Sequence, residues 1–237
     1  MMSKVKCVYC WDRGQTKENP NYCKHCGTYR EKGPTNQEVE DMDKVKDFYN
    51  ILIPRQYLDI IFSKSTLFAS NPELYDLKAY RVYGDVLQTV YDRIREGNLP
   101  NKSAFIYAPS RNGKQTFVYS CMKELVKKDI PVFPYLDVIE LKKFLEVKGE
   151  SKLFPFWKEE EVYTTPLLFI KVPYQFNKYN RFLLDLLDRR ARYGNITYII
   201  SRYPVHRVFD KYMLENILPP KVEVYYNPKY LNVLNYQ

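Results

Sequence analysis

The feature that most constrains this chain is a change of pattern after residue 99. From there, short apolar runs of strand-forming residues alternate with helix-length stretches up to about residue 226. The runs are Ala104–Tyr107, Val132–Leu136, Leu167–Val172, Ile196–Ser201 and Val222–Tyr226. Strands that are each separated by a helix cannot close as hairpins, so they pair side by side in the same direction, which predicts an α/β domain with a parallel five-stranded sheet. Leu167-Leu-Phe-Ile170 is apolar at every position, as expected of a strand covered on both faces. Pro134 interrupts the second run, and a proline in a sheet belongs on an edge strand because it has no N–H to donate.

The residues before this point read differently. From Val45 to Gly97 the apolar residues recur at helical spacing, broken at Pro54 and at Asn71-Pro72, where Asn71 can cap the next helix. Between Pro72 and Glu96 one face carries Leu74, Leu77, Val82, Val86, Leu87, Val90, Tyr91 and Ile94, and Gly97-Asn98 ends the helix. Residues 31–45 read as a polar linker that turns into a helix start. The expected organisation is 1–30 as a small separate domain, 31–99 as linker and helical connector, and 100–237 as the α/β domain.

Residues 1–30 hold too few apolar side chains to fold without a crosslink or a metal. They contain four of the five cysteines, as Cys7-x-x-Cys10 and Cys23-x-x-Cys26 with twelve residues between the pairs. Each pair can form a tight turn that aims two thiolates at one ion, and four thiolates suit tetrahedral Zn²⁺. Such a site has no open position, so the expected cofactor is structural zinc in a Cys₄ zinc ribbon; His25 is not needed as a ligand. Lys4, Lys6, Lys17 and Lys24 with Tyr9, Trp11 and Tyr22 would suit a nucleic-acid surface, and a protein-docking ribbon fits them equally. Lys and Arg exceed Asp and Glu for a net charge of +9, which favours a polyanionic partner. No run approaches the roughly 18 apolar residues of a membrane span, and the N-terminus lacks a signal-peptide core, so the expectation is a cytoplasmic protein with no membrane association. Most of the 23 tyrosines fit amphipathic core edges better than base stacking.

After the first strand comes Ala108-Pro-Ser-Arg-Asn-Gly-Lys-Gln-Thr116, followed by a predicted helix over Gln115–Lys128 with Phe117, Val118, Cys121, Met122, Leu125 and Val126 inward. A strand, a loop ending in Gly-Lys and a helix make a phosphate-loop arrangement. The loop departs from the working pattern: Ala108 stands at the first glycine position and Gln115 at the Ser/Thr position that would hold Mg²⁺. Candidate nucleotide-binding residues are Asn112, Gly113, Lys114, Gln115, Thr116 and Lys171. Lys114 either holds a nucleotide or nucleic-acid phosphate without Mg²⁺, aided by Lys171, or belongs to a vestigial loop. Arg181, Arg189, Arg190 and Arg192 are candidate contacts to a DNA backbone, or else a solvated basic face or inter-subunit pair. On a helix Arg189 and Arg192 share a face and Arg190 points elsewhere. No nucleophilic triad is credible with only His25 and His206 in the chain.

From about Ile53-Pro-Arg-Gln-Tyr57 to Tyr230, the order of motifs resembles the ATPase core of the DnaC/DnaI-type helicase loaders of the AAA+ class. The matching pieces are Ser103-Ala-Phe-Ile-Tyr-Ala108 with Gly113-Lys114, Cys121-Met-Lys-Glu-Leu125, Val132 to Phe144, Leu167-Leu-Phe-Ile170, Leu183 to Arg190, and Ile196 to Ser201. The resemblance implies an AAA+-like domain, an N-terminal zinc module that docks on a replicative helicase of the DnaB-type hexamer, single-stranded DNA as a partner, and ATP or ADP as candidate ligands. It also exposes losses. Where the family carries its Walker B Asp and Glu this chain has Lys171-Val172; the sensor position reads Ser201-Arg202; Phe209 to Asn216 holds no trans-acting arginine; and the chain ends before a helical lid. The expectation is a lidless pseudo-ATPase with no catalytic residues and no use for Mg²⁺, in a loader-like replication factor able to form homo-oligomers. A short basic chain so worn is reminiscent of phage proteins. The alternatives are a zinc-dependent nucleic-acid-binding adaptor, or a slow ATPase recruiting Mg²⁺ through Asp137 or Asp185.

Overall fold

The computed structural model describes residues 50–69, 78–108, 112–147, 154–173, 179–209, 211 and 222–226. Its centre is a parallel sheet of strands β1 (Ser103–Tyr107), β2 (Leu136–Asp137), β3 (Leu167–Val172), β4 (Ile196–Ser201) and β5 (Val222–Tyr226). The strand order is β2-β3-β4-β1-β5. Four of these are strands of five or six residues, and β2 is a two-residue strand at the edge. Within β3 only Lys171 is not buried, and within β4 only Ile196, so both central strands are covered on both faces, the condition under which a continuously apolar strand is stable.

The second strand starts later than expected. Val132, Phe133 and Pro134 are buried but unpaired, and the ladder begins only at Leu136. Pro134 has no N–H for it, and the Val132 carbonyl accepts the Trp157 indole N–H at 2.9 Å. Edge-to-face contacts of Phe133 with Phe144 and Trp157 hold the segment instead.

Before the sheet come a 3₁₀ turn (Arg55–Tyr57), α1 (Lys64–Ala69) and α2 (Lys78–Arg95). Tyr83, Leu87, Tyr91 and Ile94 of α2 are buried, and Leu52, Ile53 and Phe62 join them in one core with the sheet. Val86 and Val90 are half-buried, while Leu74 and Leu77 lie outside the described residues. Helix α2 ends at Gly97, whose φ of +92° lets its N–H reach Ile94 O and the Asn98 N–H reach Arg93 O, both at 2.9 Å. This pairing closes the last turn in a conformation that favours glycine.

The remaining helices are α3 (Lys114–Lys127), α4 (Val138–Glu146), α5 (Glu159–Thr164), α6 (Asn180–Arg192) and α7 (Val205–Val208). Helix α3 buries Phe117, Val118, Cys121, Met122 and Leu125, as its spacing predicts. Phe117 bridges two layers, meeting Phe169 of β3 and Phe62 of the connector edge-on. Among the described residues no helix is long and apolar enough to cross a membrane.

Candidate anion-binding cleft

In an open parallel sheet, ligands collect at the carboxyl ends of the strands. Here the ends of β3 and β4, the start of α3 and the connector enclose a cleft of about 770 Å³. Asn112, Gly113, Lys114, Gln115 and Thr116 line it from the first loop, Lys171, Val172 and Pro173 from β3, and Ser201, Arg202 and Tyr203 from β4. Tyr57 and Tyr135 close it from the sides. All six residues assigned from sequence to a nucleotide site therefore stand around one cleft.

Gly113 is the turning point of the loop. Its φ is +68°, and a Cβ there would come within 2.7 Å of Leu67 Cδ1 on α1, so both backbone conformation and packing require glycine. Lys114 opens α3 and is only 8% exposed. Its ammonium donates to the Ala108 carbonyl at the other end of the same loop. Burial, and next the charge of Arg202, push its pKa down to about 7.

The side wall is set by the connector. Lys123 on α3 donates to the carbonyls of Tyr57 at 2.9 Å, Leu58 at 3.0 Å and Ile60 at 2.5 Å, and the Ser120 hydroxyl accepts the Phe62 N–H at 3.0 Å. So held, Tyr57 donates its hydroxyl proton to Gln115 Oε1 at 3.0 Å and packs on Tyr119, which meets Tyr135 in turn. Neither Lys123 nor this tyrosine series stood out in the sequence as a site feature. Its only signal was a lysine and a serine on the otherwise inward face of α3.

Chemically the cleft is one-sided. Its described lining holds three cations, Lys114, Lys171 and Arg202, three tyrosines and no carboxylate. Lys171 pairs in register with Asp137 of β2, but Asp137 Oδ1 accepts the Ile139 and Glu140 N–H groups, both at 2.9 Å, and caps α4. Asp185 is exposed on α6 and is not part of the described lining. Among the described residues no group of His, Cys, Asp and Glu is placed to hold a metal ion.

The four arginines of α6 divide. Arg181, Arg189 and Arg192 are exposed, each one helical turn from Asp185 or Asp188 in the sequence, and the Arg189 guanidinium lies over the Tyr163 ring at 5.4 Å. Arg190 does not belong with them. It is 0% exposed and donates to Thr197 Oγ1 and to the carbonyls of Val162, Thr165 and Ile196. A guanidinium whose donors are spent inside the core is a structural post joining α5, α6 and β4, not a contact for a DNA backbone. Cys121 is a buried core side chain. Cys7, Cys10, Cys23 and Cys26 lie outside the described residues.

A parallel sheet with a strand, a loop ending in Gly-Lys and a helix is the architecture of a phosphate-loop-type α/β domain. No family model and no curated protein matches the chain. Among solved structures it is similar to DnaI, with 16% identity over 63% of this chain and 80% of that one and a TM-score of 0.40. It is also similar to the DnaC helicase loader, with 13% identity over 68% of this chain and 98% of that one and a TM-score of 0.43. A third is C. elegans PCH-2, with 12% identity over 67% and 45% of the two chains and a TM-score of 0.33.

Proposed function

We propose that this chain is a helicase-loader-like DNA replication factor that binds a replicative ring helicase and single-stranded DNA without hydrolysing ATP. The observation that carries the non-hydrolysing part is the cleft: where an ATPase needs carboxylates to place Mg²⁺ and orient water, the described lining offers Lys171, Val172 and Arg202. In-line attack on a γ-phosphate would have neither its metal anchor nor its base. Lys114 and the start of α3 still offer an anion a cation and backbone N–H groups. The partner assignment rests on the motif order shared with DnaC/DnaI-type loaders, and the DNA assignment on the net charge of +9 with Arg181, Arg189 and Arg192 exposed.

In this reading Cys7, Cys10, Cys23 and Cys26 hold a structural Zn²⁺, for which four thiolates are a fitting donor set, and the zinc ribbon and connector dock on the helicase. Any opening of the ring would draw its free energy from contact area rather than from nucleotide turnover. Native mass spectrometry of the protein with the replicative helicase of its own genome or host, with and without single-stranded DNA, tests this. The expected result is a complex of fixed stoichiometry. DNA binding without any helicase complex would replace the loader reading with that of a nucleic-acid-binding adaptor.

A further inference from the structure

We propose that the cleft takes a nucleoside di- or triphosphate as its metal-free anion, with Lys171 and Arg202 in the place of the divalent cation, so that Mg²⁺ weakens binding instead of enabling it. This rests on the cleft being the ligand site described above, and adds the form of ligand it accepts.

The argument begins with what a hard divalent cation requires. Mg²⁺ is held by carboxylate and hydroxyl oxygens beside the phosphates, and the described lining contains no carboxylate. The residue at the metal-holding position of the loop is Gln115, whose carbonyl oxygen already accepts from Tyr57. Gln115 replaces the metal-holding hydroxyl with a neutral amide whose N–H₂ is a donor suited to an anion. Asp137, opposite Lys171, is committed to the cap of α4.

Charge points the same way. Three side-chain cations around one cleft complement the free polyphosphate, whereas bound Mg²⁺ halves the negative charge of a triphosphate and sets a dication against Lys171 and Arg202. A DNA strand is the weaker match, because it brings one charge per nucleotide rather than several within a few ångströms. The volume of about 770 Å³ lies in the range of small-ligand sites. Tyr57, Tyr135 and Tyr203 on its walls supply aromatic surface for a base.

Isothermal titration calorimetry of the zinc-loaded, full-length protein with ATP and with ADP tests the idea, in metal-depleted buffer without chelator and again with excess Mg²⁺ at matched ionic strength. Free ATP should bind about tenfold or more tightly than Mg-ATP. Lys171→Met and Arg202→Met, both at non-core positions, should each erase that preference, and Lys171→Asp should reverse it by creating a metal ligand. Equal or tighter binding with Mg²⁺, or no binding in either buffer, overturns the proposal. Because the helicase complex is measured separately, its absence with the metal preference intact would count against the loader reading alone.

Discussion

Lys114 stands in two conflicting settings: it is a cation at the start of α3 lining the cleft, and it is buried beside Arg202. With a pKa of about 7, Lys114 would make the proposed anion binding pH-dependent in the neutral range, since only its protonated form attracts an anion. Nucleotide affinity should fall as the pH is raised through about 7, and Lys114→Met should lose both the affinity and its pH dependence. Stability should move in the opposite direction. The folded pKa lies below the ordinary lysine value of 10.5, so between about 7 and 10.5 the unfolded chain holds more protons and the folded state gains stability as pH rises. Denaturant titrations across that window, with Lys114→Met as the comparison, check the sign. A flat profile common to both proteins would show that Lys114 is solvated and charged throughout.

At the scale of elements, Arg190 explains how α5, α6 and β4 keep their spacing. One guanidinium satisfies the carbonyls of Val162, Thr165 and Ile196 and meets the Thr197 hydroxyl. Burial lowers its pKa to about 9, which leaves it charged at neutral pH. Arg190→Met would keep the volume and strand those buried oxygens, so it should cost about 3–5 kcal/mol of stability. Arg192→Met on the exposed face should change stability by no more than about 0.5 kcal/mol. Urea unfolding of the two variants compares them directly; equal small effects would mean that Arg190 reaches solvent. Helical spacing had already parted Arg190 from Arg189 and Arg192, but it could not say which face looked inward.

For the whole molecule, the connector and the sheet form one body, because Leu52, Ile53, Phe62, Tyr83 and Leu87 share a core with β1, β3 and β4. Cys121 is a buried free cysteine within that core. If Cys7, Cys10, Cys23 and Cys26 hold Zn²⁺, the protein should carry one zinc per chain by elemental analysis. Releasing it with a thiol-modifying reagent should abolish the helicase complex while leaving the unfolding transition of the α/β body in place. Loss of that transition together with the zinc would show that the two parts fold as one unit.

Much of this protein is a local matter, and local signals are what a sequence carries. Apolar runs at strand length, the inward face of α3, the Gly97 helix end and the Gly113-Lys114 turn are each encoded within a few neighbouring residues. Even the late start of β2 follows from Pro134, although the Trp157 bond that fills the gap does not. The cleft is different. Lys114, Lys171 and Arg202 are far apart along the chain and meet only because the strand order places β4 between β1 and β3. Arg190 and Arg189 are neighbours in sequence and end in opposite environments, because burial belongs to the packed face and not to the residue type. Local chemistry thus determined the parts, and the sheet order, set by pairings between distant segments, decided which cations share a site.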